Sequence, residues 1–160
     1  MTNEVMVKMV LDNWNKQISD ANKLFDSLSD ADLMREVAPG RNRGIYLLGH
    51  LAAVNDKMLP LLGYGAAQYP NIHDAFLTKA DRAVADTLSV SELRKLWKDS
   101  CEELGKHFKS ETPESWFGKH TSVSAEDFAK EPHRNKLNVV LGRAGHLQNH
   151  LGQLVFLKSK

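Results

Sequence analysis

His146 and His150 stand four residues apart, in His146-Leu147-Gln148-Asn149-His150, within a stretch of helical periodicity near the end of the chain. On an α-helix, positions i and i+4 lie one above the other on the same face, so both imidazoles can reach one cation without distorting the backbone. His50 lies far upstream, in the apolar arc of a second helical stretch between Leu47, Leu51 and Val54. Burial there disfavours imidazolium, and the neutral ring is the form that binds metals. Three neutral imidazoles and a water suit a four-coordinate catalytic-type zinc site with one position open to substrate. Imidazole suits nickel, iron and copper as well, so the donor type does not choose the metal.

The same residues carry blander readings. A lone histidine on an apolar face is more often a hydrogen-bonded core residue than a ligand. The chain has seven histidines, enough to produce i, i+4 pairs by chance. By spacing alone, a metal-binding pair and a solvated strip on a long amphipathic helix weigh about equally. Two familiar metal motifs are excluded. Leu147 stands where a zincin helix carries its glutamate base, and no Glu-x-x-His of the ferritin-like di-iron kind occurs. His73, His120 and His133 fall in connections, and His107 sits beside Leu104 and Phe108 on an inner helical arc, where a structural role is expected. Cys101 reads as packing, since no cationic or histidine partner adjoins it. Trp14, Trp97 and Trp116 read as core or lid aromatics. No Ser-His-Asp order, P-loop or dinucleotide-binding glycine fingerprint is present.

Four helical stretches must position these groups. The first runs from about Asn3 to Leu28, with Val7, Val10, Leu11, Trp14, Ile18, Ala21, Phe25 and Leu28 at three- and four-residue steps. Ser29 to Asp32 suits a turn or cap, as does Pro39-Gly40 a break. The second runs from about Arg43 to Leu62 and stops at Gly63, with Pro60 in its final turn. The third starts at a Ser89 or Ser91 cap and keeps Leu93, Leu96, Trp97, Cys101, Leu104 and Phe108 on one face. The fourth runs from about Lys136 to Leu157. No alternating run of strand length appears, and no repeat is visible. The expected fold is therefore an all-α four-helix bundle. The connections from Gly63 to about Thr87 and from Glu111 to Asn135 are long for a bundle, so at least one crossover is expected, and such segments often cover an opening.

Length and a hydrophobic content of 42% suit one domain over residues 1–160. With 21 basic and 20 acidic residues spread along the chain, net charge is +1 and no basic stripe points to nucleic acid or an anionic membrane. No secretory h-region or bilayer-length apolar run is seen, and a lone cysteine suits a reducing compartment, so a cytoplasmic protein is expected. The fourth helix is apolar around much of its circumference. Leu137, Leu141, Ala144, Gln148 and Val155 lie on one side, Val139, His146, His150 and Leu157 nearly opposite, and Val140, Leu147, Leu151 and Leu154 between. Such a helix is central in its domain or also packs on a second chain, and a homodimer is expected.

With these residues in view, the chain resembles the DinB/YfiT-like superfamily of metal-binding four-helix bundles. The likeness rests on Tyr46-Leu-Leu-Gly-His50-Leu51 in the second helix and on Asn138-x4-Arg143-x2-His146-x3-His150-x-Gly152-Gln153-Leu154 in the fourth. The resemblance implies that His50, His146 and His150 are the metal ligands, completed by water or a small-molecule substrate. It also implies a divalent metal (zinc, nickel or iron), crossover connectivity and frequent homodimers. Relatives include metal-dependent transferases that use low-molecular-weight thiols such as bacillithiol, mycothiol or glutathione, and a thiol-dependent isomerase. A thiol S-transferase is thus the leading expectation, a non-catalytic stress-related metal- or ligand-binding bundle the second, and a plain helical dimerisation domain the third. Family membership alone does not supply a substrate. On the thiol reading, Asn149 and Gln153 are candidates to orient an imidazole. Arg41 and Arg43, just before the second helix, either meet a carboxylate at the site mouth or are ordinary solvated charges.

Overall fold

The structure, a computed structural model, describes residues 3–158, and among these it is helical with no strand. Helix α1 (Asn3–Ser27) is followed by a short α2 (Asp30–Leu33), whose start is fixed by a reciprocal capping box between Ser29 and Asp32. Helix α3 (Gly44–Leu62) ends at Gly63, which takes the left-handed conformation (φ 81°) that only glycine adopts without a Cβ penalty. Helix α4 (Val90–Ser110) opens on a second capping box, Ser89 with Glu92. After α5 (Ala125–Lys130), helix α6 (Lys136–Leu154) runs into one 3-10 turn at Val155–Leu157. The four long helices thus fall where the periodicity puts them.

Two core layers give their directions. In one, Val7 and Trp14 from the start of α1 meet Met58 and Leu62, Leu104 and Phe108, and Leu137 and Val140. In the other, Leu24 and Phe25 from its end meet Ile45 and Leu48, Leu93 and Trp97, and Leu151 and Leu154. Helices α1 and α6 therefore run one way, and α3 and α4 the other. Helix α3 packs chiefly on α4 and α1 on α6, while α3 also touches α6. Helices α1 and α4 join through Trp97, which donates from Nε1 to Asn22 Oδ1 at 2.8 Å and sets its ring edge-on to Phe25.

Because α3 and α4 are parallel neighbours, the chain between them must travel back along the bundle. Residues 63–89 form this crossover strap, as the length of the connection leads one to expect. Asp56, 1% exposed, accepts from the backbone N–H groups of Gln68 and Tyr69 at 2.8 and 3.1 Å and faces His73 Nε2 at 2.8 Å. Ile72 enters the core, and the strap then forms one π-helical turn at Asp74–Thr78. Tyr46 donates from its hydroxyl to Lys79 O at 2.7 Å. Arg43 is no ordinary solvated charge: it is buried, and its guanidinium forks onto Asp81 and Asp86, each with a 2.7 Å contact. Arg41, in contrast, is exposed. Charge-assisted bonds of this kind are the stronger ones, and here they fasten a segment with little regular structure.

Candidate metal centre

His50 lies on α3 and His146 and His150 on α6, where the two helices touch within the layer that the strap covers. The three rings converge. His146 Nε2 lies 3.2 Å from His50 Nε2 and 3.0 Å from His150 Nε2, and all three candidate donor atoms fall within 4.8 Å of one another. The N···N edge of a tetrahedral zinc site is about 3.3 Å for Zn–N bonds of about 2.0–2.1 Å. Each histidine is half-buried. No fourth His, Cys, Asp or Glu among the described residues joins the group.

The outer nitrogens explain why the inner ones face each other. His50 Nδ1 lies 2.8 Å from Phe76 O, and His150 Nδ1 lies 2.8 Å from Gln153 Oε1. A carbonyl oxygen can only accept, so each Nδ1 carries the proton and each Nε2 presents a lone pair. His146 Nε2 then stands between two acceptors. A proton on it can satisfy only one of them, whereas a cation at the centre would take lone pairs from all three. The donor chemistry therefore fits a divalent metal, held by neutral imidazoles whose orientation is set from behind. Electrostatics favour the same state. Burial lowers the His146 pKa to about 4, helped by His150, His50 and Arg143. Burial also lowers that of His50, against the opposing pull of the Phe76 carbonyl.

The strap contributes directly. The Phe76 ring lies against Gly49, the residue before His50. A Cβ at Gly49 would sit 2.6 Å from Phe76 Cζ, well inside van der Waals contact. Glycine inside a helix costs roughly 0.5–1 kcal/mol relative to alanine, and here it admits the segment whose carbonyl orients the ligand ring. Tyr46, one turn before His50, stacks on that imidazole with centroids 6.3 Å apart and planes 13° apart.

Of the residues singled out in the sequence, His50, His146 and His150 come together and Gln153 supports one of them. Asn149 is exposed and makes no contact with the rings. The solvated-strip reading of the histidine pair does not hold, because α6 turns that face toward α3. His107 is half-buried on α4 and stacks on Tyr64 with ring centroids 4.5 Å apart, a packing role. His120 and His133 stay in the second long connection, and His73 serves the Asp56 anchor. Cys101 is packed inside, where it accepts from Asn55 Nδ2 at 3.4 Å, and burial pushes its thiol pKa up to about 12, which makes it a poor nucleophile. Phe76 was missed because a backbone carbonyl leaves no mark in residue type. The one available signal was a glycine beside a histidine inside a strongly apolar helix.

No helix among the described residues is long and apolar enough to cross a membrane. No curated protein matches the chain in sequence. Its sequence does match the DinB superfamily over residues 13–154, from the middle of α1 to the end of α6, a span that contains all three histidines. With that extent of match, on a helical bundle bearing a three-histidine cluster, the chain belongs to the DinB superfamily, a metal-binding family.

Proposed function

We propose that the protein is a divalent-metal-dependent enzyme in which His50, His146 and His150 hold zinc, nickel or iron and a small-molecule thiol approaches the open side, as in a low-molecular-weight-thiol S-transferase. The observation that carries this reading is the convergence of three ring nitrogens with no fourth His, Cys, Asp or Glu among the described residues. Structural zinc sites are closed by four protein ligands, whereas catalytic ones keep a position free. When bound, the ion supplies Lewis acidity that favours the thiolate form of a thiol at that position. The chain's own residues keep the site in order: Phe76 O and Gln153 Oε1 hold two Nδ1 protons, and the Tyr46 ring braces His50. Because Cys101 is largely shielded and its thiol is held protonated, the reactive sulfur on this reading belongs to the added thiol.

Metal analysis of the purified protein, followed by a panel of thiols (bacillithiol, mycothiol, glutathione) with a model electrophile, tests the proposal. Thiol-dependent turnover that chelation abolishes, with helicity retained, and that added metal restores is the expected result. Tight metal binding with no turnover for any thiol would favour the non-catalytic binding bundle instead.

We further propose that a second copy of the chain covers the outer face of α1 and α6, in a cytoplasmic homodimer. Leu141 is 49% exposed on α6 and Met9 64% exposed on α1, beside a groove lined by Val10, Leu137 and Leu141. Two long neighbouring helices thus show apolar side chains that the bundle does not hide. Sedimentation should give a dimer that the double substitution Met9→Glu, Leu141→Glu converts to monomer with unchanged helicity. A wild-type monomer at every concentration would refute it.

A further inference from the structure

Arg143 sits three residues before His146 and seven before His150 on α6, so the guanidinium and both imidazoles share one stripe of the helix. The chain has seven arginines. Arg35 pairs with Asp32, Arg43 with Asp81 and Asp86, Arg82 with Glu36, Arg94 with Asp30 and Arg134 with Glu131. Of the remaining two, Arg41 is exposed, whereas Arg143 is half-buried. Arg143 makes no hydrogen bond or ion pair among the described residues. No carboxylate among the described residues joins the cluster. A divalent ion held by three neutral rings keeps its full charge, and Arg143 adds another beside it.

Resting on the metal-centre reading above, we infer that Arg143 is a positioning and specificity residue that receives an anionic group of the substrate, so that the site takes thiols bearing a carboxylate in preference to neutral ones. A half-buried arginine with free donors is suited to a planar carboxylate, which its guanidinium can grip with two parallel N–H bonds. An acid attached a few bonds from the sulfur would offset the excess positive charge while the sulfur faces the histidines. The protein then recognises its thiol by its charge as well as by its sulfur.

The test uses full-length protein loaded with cobalt(II) in place of the native ion, whose visible spectrum reports on groups entering the coordination sphere. Two probe thiols are titrated, 3-mercaptopropionate and 2-mercaptoethanol, which differ in carrying a carboxylate or a hydroxyl. The ratio of their affinities is compared between wild type and Arg143→Met, with Arg143→Lys as the charge-retaining variant. Arg143→Met is expected to lower the preference for the carboxylate thiol by about tenfold, as the loss of one charge-assisted contact implies. Cobalt content and 2-mercaptoethanol affinity should stay unchanged, and Arg143→Lys should keep part of the preference. An equal ratio in wild type and Arg143→Met, with cobalt still bound, overturns the role of Arg143 and leaves the metal centre standing. Failure of wild type to bind cobalt at all overturns the metal centre, and this inference with it.

Discussion

Replacing His146 by alanine is expected to weaken divalent-metal binding by more than about a hundredfold, beyond the 10–100-fold typical of disturbing an outer partner of a ligand. His146 Nε2 is the atom common to both short contacts in the cluster, at 3.2 and 3.0 Å, so its loss leaves two rings facing an enlarged gap. Metal analysis after gel filtration measures the effect, and undiminished metal in His146→Ala would remove the site as drawn. The same residue sets a pH dependence. Its folded pKa is about 4, below the ordinary value of 6.5, so the unfolded chain binds the extra proton between those two pH values. Stability contributed by the neutral ring therefore falls as pH drops from about 6.5 towards 4, and it is present above that window. Protons and metal compete for the same lone pair, so bound metal should be kept at pH 7 and released as pH falls through this range. Denaturant unfolding at pH 5 and pH 7 should show a smaller difference in His146→Ala than in wild type.

Gly49→Ala is expected to damage both stability and the metal centre, although alanine is the better helix former. Helix propensity alone favours the change by roughly 0.8–1 kcal/mol. Against it, the new methyl would sit 2.6 Å from Phe76 Cζ, and overpacking of this sort typically costs about 1–3 kcal/mol. Steric cost cancels or exceeds the gain, for a net loss of up to about 2 kcal/mol. Relief requires Phe76 to move, and its carbonyl holds the His50 Nδ1 proton at 2.8 Å, so metal affinity should fall by about tenfold. Gly105→Ala on α4 is the control: nothing lies within 4 Å of the added Cβ, and the propensity gain should appear undiminished. Equal stabilisation by the two substitutions, measured by thermal and denaturant unfolding, would show that Phe76 does not constrain Gly49.

Much of the bundle was legible because its signals are local. Apolar residues at three- and four-residue steps mark the four long helices, Ser89 with Glu92 marks a capping box, and Gly63 marks a left-handed stop. The length of the Gly63–Thr87 connection implied a crossover, which residues 63–89 supply between parallel α3 and α4. Arg43 escaped that logic. Its partners Asp81 and Asp86 lie some forty residues away in a segment without periodicity, so nothing nearby shows that it is buried.

Residue type and spacing by themselves determined a helical bundle, three histidines able to serve one cation, and the family to which those motifs belong. Whether His50 meets the His146–His150 pair was beyond them, because an i, i+4 step specifies a shared face but not what that face looks at. Tertiary structure decided this by seating α6 against α3. It also drew the strap over Gly49, so that Phe76 O claims the outer nitrogen of His50, as Gln153 Oε1 does for His150 from within α6. The three histidines are written in the sequence. The aim of His50 depends on a backbone carbonyl and a helix contact distant in sequence, which only folding brings within hydrogen-bonding reach.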